Sequence, residues 1–306
     1  MAVSTLARRR FGLSREGLTG WLFALPIIIF VIAMVYVPIL SALFLSFTSW
    51  NGLEPLAQMS FVGVDLYADA LTDTVVLGAL RNTILYSVMV VASGMIFGLL
   101  LSVAVNSIKR MSGLVRAIYF MPYMLPMTAM ALLWGLLYQP AYGLINQSLL
   151  TFGLPTSKWI YDTEMALPSI AFVVIWKTLG WYMIIFLAGL NSIPDEFYEA
   201  SKIDGAGALA QFWSITLPLM KPTLLFMLVV GVIDSMQVFT PVFVLTQGGP
   251  LDVTDTSVYV MYISAFRNFR FSYSCAQAML LFVVMLTATL LQLRIFREGG
   301  VTSYYR

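Results

Sequence analysis

Six stretches of this chain are apolar on every side for more than twenty residues, and short polar segments separate them. The stretches cover residues 21–47, 84–107, 114–138, 167–190, 222–246 and 273–296. A helix that shows no polar face is a helix surrounded by lipid or by other helices, and about 20 apolar residues span a bilayer core. The pattern therefore predicts six membrane-spanning helices. The first stretch is too long for the apolar segment of a signal peptide and lacks a small-residue cleavage site, so it reads as a retained span. Pro38 and Pro126 fall inside spans. They are tolerated there when neighbouring groups cover the carbonyls that proline leaves free.

The loops set the orientation. With the N-terminus inside, the inner segments hold Arg8, Arg9, Arg10, Arg15, Lys109, Arg110, Arg116, Lys202, Lys221, Arg294, Arg297 and Arg306. The outer loops, 48–83, 139–166 and 247–272, hold only Arg81, Lys158, Arg267 and Arg270. Basic residues stay in the cytoplasm, so this bias predicts that both termini are cytoplasmic. The chain reads as a basic tail (1–20), one membrane domain (21–297) and a short C-terminal tail (298–306), with no internal repeat.

Composition narrows the classes. Of 306 residues 60% are hydrophobic and only 10% charged, where a soluble domain carries about 25%. A net charge of +2 gives no reason to expect a nucleic-acid partner. The chain has no histidine and one cysteine, Cys275. That excludes a Ser-His-Asp or Cys-His centre, a histidine-ligated metal and an intrachain disulfide. No lysine follows a glycine, so no phosphate-binding loop of the Gly-Lys-Ser/Thr type is present.

The inner segment 193–221 is unusually apolar for a cytoplasmic loop. Pro194, Asp195 and Glu196 suit the first turn of a helix. Asp204 is a candidate cap for a second short helix, with Gly205 turning into it and Leu217-Pro218 ending it. Phe197, Ile203, Phe212, Trp213 and Ile215 exceed what packing on the span ends requires, which leaves apolar surface for a partner.

This segment resembles the cytoplasmic loop of bacterial ATP-binding-cassette importer permeases. Their pattern is Glu-Ala-Ala, three residues, Gly, nine residues, Ile, one residue, Leu-Pro. Here it reads Glu199-Ala200-Ser201, Gly205, Ile215, Leu217-Pro218, with Asp204 and Ala206 also matching and Ser201 departing from the usual alanine. Asn82-Thr83 is similar to the usual Asn-Thr of this family, and Leu245-Thr246-Gln247-Gly248-Gly249-Pro250 resembles the signature of its branch that carries sugars. The resemblance implies an all-α, six-helix importer membrane domain of type I with a coupling-helix loop, in a bacterial inner membrane. It implies a second permease subunit, a separate ATPase pair that holds ATP and magnesium, and an external sugar-binding protein. It implies that Glu199 meets a basic residue of the ATPase, and that this chain itself needs no cofactor and catalyses nothing.

Two charges, Lys177 and Asp234, fall deep in spans four and five. At 1.5 Å per residue each sits near the midplane, where a charge costs at least about 2.5–3.5 kcal/mol. Two readings stay open. The pair lines a sugar pocket with Trp181, Gln237 and Thr240, or it is an ion pair holding two spans in register. Tyr36, Tyr86, Tyr123 and Trp134 are weaker candidates, because most membrane aromatics are packing residues. A secondary transporter would show paired acidic groups on broken helices, and Asp234 is the lone acid in a span. A membrane enzyme would show a nucleophile or metal cluster, and none is visible. A permease of the same type for glycerol-3-phosphate or a polyol is the nearest alternative, and which sugar is carried is not legible.

Overall fold

The computed structural model describes residues 15–108 and 112–297. Both tails in large part, and with them Arg8, Arg9, Arg10, Lys109, Arg110 and Arg306, lie outside the described residues. The described chain is mostly helical, with one two-stranded antiparallel ladder, Thr48–Ser49 against Ser60–Phe61. Five segments are long and apolar enough to cross a membrane: α1 (Thr19–Leu45), Thr74–Ser107, Ala166–Asn191, Lys221–Leu245 and Phe271–Phe296.

The outer connection after α1 carries a short helix α2 (Asp65–Thr72) and then α3 (Thr74–Ser107). α3 begins ten residues before the apolar run. Asp73 explains the early start: its carboxylate accepts the Val75 N–H at 2.8 Å and caps the helix. At 1.5 Å per residue, 34 residues reach about 50 Å, so α3 projects beyond the bilayer core.

The third expected span departs most from the sequence reading. It is two helices, α4 (Ser112–Met124) and α5 (Met127–Leu137), bent by 94° at Leu125-Pro126. Neither crosses a bilayer alone. Pro126 removes a backbone donor and disfavours a helical Leu125, so the chain turns.

α6 (Leu144–Thr151) lies in the next outer connection and leads to α7 (Ala166–Asn191), the central helix. α7 packs along α3 and α4 through small residues. A Cβ on Gly180 would overlap the Tyr119 carbonyl and reach within 2.8 Å of the Phe120 Cα. Cβ atoms on Gly94 and Gly98 would strike the Tyr182 ring and Cβ. Membrane helices associate through such close backbone approach, because lipid is as apolar as the helices themselves.

The inner loop forms α8 (Asp195–Ile203) and α9 (Ala208–Leu219). Span five then begins with α10 (Lys221–Met236), breaks, and resumes as α11 (Thr240–Leu245). Pro241 accounts for this break, and Thr256 Oγ1 donates to the Val238 carbonyl inside it at 3.2 Å. An interfacial helix α12 (Ser257–Tyr262) and the last span α13 (Phe271–Arg297) complete the chain. Pro38 and Pro218 share one device. Each follows a five-residue π-turn, Ile32–Tyr36 or Phe212–Thr216, whose i→i−5 bonds absorb the lost donor.

Two buried clusters stack along the bundle. The outer one joins Tyr86, Val90, Ile170, Val242 and Tyr259. The inner one joins Leu99, Tyr182, Phe186, Met220 and Met227. None of the most apolar window of α1 is buried in this chain; its C-terminal half packs on α13.

Candidate functional site

Between the two clusters lies a cavity of about 310 Å³, lined from α3, α4, α7, α10, the α10–α11 break and the first residues of α5 and α11. Lys177, Trp181, Asp234, Gln237 and Thr240 all line it, as do Tyr86 and Tyr123. The sequence argument placed Gln237 and Thr240 on one continuous helix with Asp234. The structure brings them together by a different route, because the helix stops at Met236 and both line the cavity from the break, with the Gln237 amide also reaching Met285 Sδ of α13 at 3.8 Å. Tyr36 is exposed on α1, and Trp134 packs in a separate cluster with Met130 and Tyr138.

Lys177 and Asp234 share the cavity without pairing with each other. The Lys177 ammonium donates to the Tyr123 carbonyl at 2.7 Å and lies 4.9 Å from the centre of the Tyr123 ring. Tyr123 in turn stacks on Trp181, 5.1 Å between ring centres and 8° between planes. One face of Trp181 is therefore already covered. Asp234 is exposed to the cavity, and its carboxylate has no hydrogen-bond or ion-pair donor among the described residues.

Sequence reasoning missed several cavity residues, among them Thr178, Ser235 and above all Tyr182. Its ring rests against Gly94 and Gly98 of α3, and its hydroxyl lies against Gly231 of α10. A signal was present: Lys177, Thr178, Trp181 and Tyr182 recur at i, i+1, i+4 and i+5, one face of a helix.

The inner loop has a defined geometry. α8 ends in a Schellman turn, with Ala206 N–H to Ser201 O at 2.9 Å and Gly205 N–H to Lys202 O at 3.0 Å. Gly205 has φ +79°, which a side chain resists. Asp204 is the C-cap of α8 and not the N-cap of α9; that place belongs to Gly207. Leu217-Pro218 does not end α9, which runs to Leu219. Ser201 has a specific task, since its hydroxyl accepts from Gln211 Nε2 at 2.8 Å and joins the two short helices. Phe212 and Ile215 pack into the inner cluster. Glu199 and Ala200 are exposed, and so are Phe197, Ile203, Leu209 and Trp213, with Ile203 at 88% and Leu209 at 73%.

On the opposite side the segment Leu245–Pro250 forms a turn tied to α12 and α3. Tyr259 donates its hydroxyl to the Gln247 carbonyl at 2.9 Å, and Thr254 Oγ1 donates to Gly249 O at 2.7 Å. Asn82 Nδ2 donates to Asp255 O at 3.0 Å, and Thr83 Oγ1 accepts the Ser257 N–H at 2.8 Å. Asn82-Thr83 and the Gly-Gly-Pro turn are thus two halves of one junction. Gly248, at φ +88°, lies against the Asp255 carboxylate, where a Cβ would overlap it.

Burial, with Asp252 close by, raises the Asp255 pKa from 3.8 to about 6. A carboxyl whose pKa is raised on folding stabilises the fold when protonated. Its contribution is full below about pH 4 and is lost as pH rises through about 6. We expect Asp255→Asn to flatten the change in thermal stability between pH 5 and pH 7.5 by on the order of 1 kcal/mol, discounted for partial exposure. Equal pH dependence in variant and wild type would refute this.

A cavity at a broken helix, with an exposed helical pair at one end of the bundle, fits a subunit that passes a solute through a membrane. Comparison with known proteins agrees. Residues 94–297 match the family described as binding-protein-dependent transport system inner membrane component, and the chain belongs to that family. It is 31% identical to the trehalose/maltose transport system permease protein MalF of Thermococcus litoralis, over 92% of this chain and 95% of that one. It is 30% identical to the sn-glycerol-3-phosphate transport system permease protein UgpA of Agrobacterium fabrum, over 90% and 93%. In fold it is similar to a chain of a bacterial ABC transporter that imports the acidic polysaccharide alginate, with a TM-score of 0.82, 23% identity and coverage of 94% and 98%. This chain is accordingly a multi-pass membrane permease subunit.

Proposed function

We propose that this chain conducts a carbohydrate from an external binding protein to the cytoplasm, as one of two permease subunits driven by a separate ATPase pair. The observation that carries the reading is the inner helical pair. Glu199 and Ala200 stand exposed beside Ile203, Leu209 and Trp213, and a rigid Schellman turn fixes their spacing. An apolar patch with a central acid, held on the inner ends of the spans, suits docking into a cleft of a soluble partner. Glu199, Ala200, Ser201, Asp204, Gly205, Ala206, Ile215, Leu217 and Pro218 form or support that surface. Lys177, Trp181, Asp234, Gln237 and Thr240 line the path. ATP and magnesium belong to the ATPase, and both termini are cytoplasmic.

The carbohydrate assignment is supported by the cavity's combination of hydroxyl-matching groups and aromatic faces and by the trehalose/maltose relative. The glycerol-3-phosphate relative keeps that substrate as the second reading. The test is uptake into proteoliposomes that hold the assembled complex. Uptake of labelled trehalose or maltose that needs both the binding protein and internal ATP is expected. Uptake without nucleotide would overturn the reading.

A further inference from the structure

We infer that, of the two charges lining the cavity, Asp234 alone is left without a partner on the wall, so the path admits uncharged carbohydrate and rejects phosphorylated or uronate sugars. This rests on the cavity being the substrate path.

By formal charge the cavity is balanced, one ammonium against one carboxylate. The geometry unbalances it. Tyr123 lies in the last turn of α4, where Met127 would have bonded its carbonyl had the helix continued. The Pro126 break leaves that carbonyl without its helical donor. Lys177 supplies the donor at 2.7 Å and also sits over the Tyr123 ring. A carbonyl and an aromatic face are two partners that suit an ammonium and draw its charge to the wall. Helix-end charges do not restore the balance. α4 ends where α5 starts and α10 ends where α11 starts, so opposite poles meet at each break and largely cancel.

Asp234 has no such partner. It is exposed to the cavity and receives no donor among the described residues. Tyr182, whose hydroxyl lies against Gly231 one turn before Asp234, brings a neutral group. A free carboxylate is an acceptor-only group. It suits the hydroxyls of a sugar and repels a phosphate or carboxylate, strongly so where protein and lipid displace water.

The charge of the cavity can be read without knowing the substrate. In a Cys275→Ser background, Gln237→Cys places a thiol one turn from Asp234. The assembled complex is then labelled with a cationic and an anionic methanethiosulfonate, each rate normalised to a free thiol. The cationic reagent should react roughly tenfold faster, and Asp234→Asn should bring the ratio near one. Asp234→Glu should preserve the preference. Lys177→Arg should leave it unchanged, and Lys177→Met should raise it by less than twofold. A ratio near one in the parent overturns the inference, as does a Lys177→Met effect equal and opposite to that of Asp234→Asn. So does transport of glycerol-3-phosphate or a digalacturonate by the intact importer. Nucleotide-independent uptake would sink the importer reading while leaving the labelling ratios in place, so the two fail separately.

Discussion

Replacing Glu199 with arginine is expected to abolish nucleotide-driven uptake while the chain still inserts and folds. Glu199 is exposed on α8, in the middle of that helix and clear of its Schellman turn. Among the described residues no hydrogen bond or ion pair depends on its side chain, so loss of function would have to arise at a partner. Reversing one charge of a docked, desolvated pair costs on the order of 3 kcal/mol or more, a factor of roughly 100 in affinity. The measurement is twofold: uptake in proteoliposomes, and recovery of the ATPase with the purified permease. Both should fall by about that factor, with an unchanged elution profile of the permease itself. Full uptake by Glu199→Arg would remove the main support for the coupling role. Ser201→Ala is a calibrating variant. It loses the Gln211 bond but removes only a half-buried hydroxyl and keeps a small side chain, so it should cost no more than about 1 kcal/mol.

Much of this architecture was legible in the sequence, for a physical reason. Lipid forbids unsatisfied backbone, so any twenty-residue apolar run must be helical. Five of six spans appear where that rule puts them. The helix breaks were not legible, because Pro38, Pro126, Pro218 and Pro241 look alike in sequence. Pro38 and Pro218 are absorbed by π-turns, whereas Pro126 and Pro241 turn the chain. Which outcome follows depends on what covers the freed carbonyls, and that is a tertiary matter. Lys177 covers one of them and Thr256 another.

The candidate site shows the same division. Depth alone brought Lys177 and Asp234 to one level, since rise per residue is fixed. Their partners could not follow from depth. The sequence offered each to the other, and the structure gives Lys177 to Tyr123. In the inner loop, the fixed glycine was readable as a turn, but whether Asp204 closed the helix before it or opened the next was not. Both caps accept an aspartate, and only the 6→1 bond from Ala206 to Ser201 decides it.

Gly180 offers the most severe single test of how the cavity is held. Here α7 crosses α4 so closely that a Cβ would overlap the Tyr119 carbonyl and crowd the Phe120 Cα. The obstruction is backbone, which cannot swing aside as a side-chain end can. Gly180→Ala should therefore cost on the order of 1–3 kcal/mol, the range for overpacking, and Gly180→Leu more than that. The consequence reaches the cavity directly. Tyr119 is one turn from Tyr123, and Gly180 is one turn from Lys177, so pushing the helices apart breaks the Lys177–Tyr123 bond and unseats the Tyr123–Trp181 stack. Gly78 on α3 is the control, because nothing lies within 4 Å of a Cβ there. Gly78→Ala should be neutral or stabilise by up to about 1 kcal/mol through helix propensity. Thermal stability of the detergent-solubilised protein separates the two sites. A Gly180→Leu variant as stable as wild type would mean that α4 does not pack on α7 at this depth, and the wall that positions Lys177 would have to be redrawn.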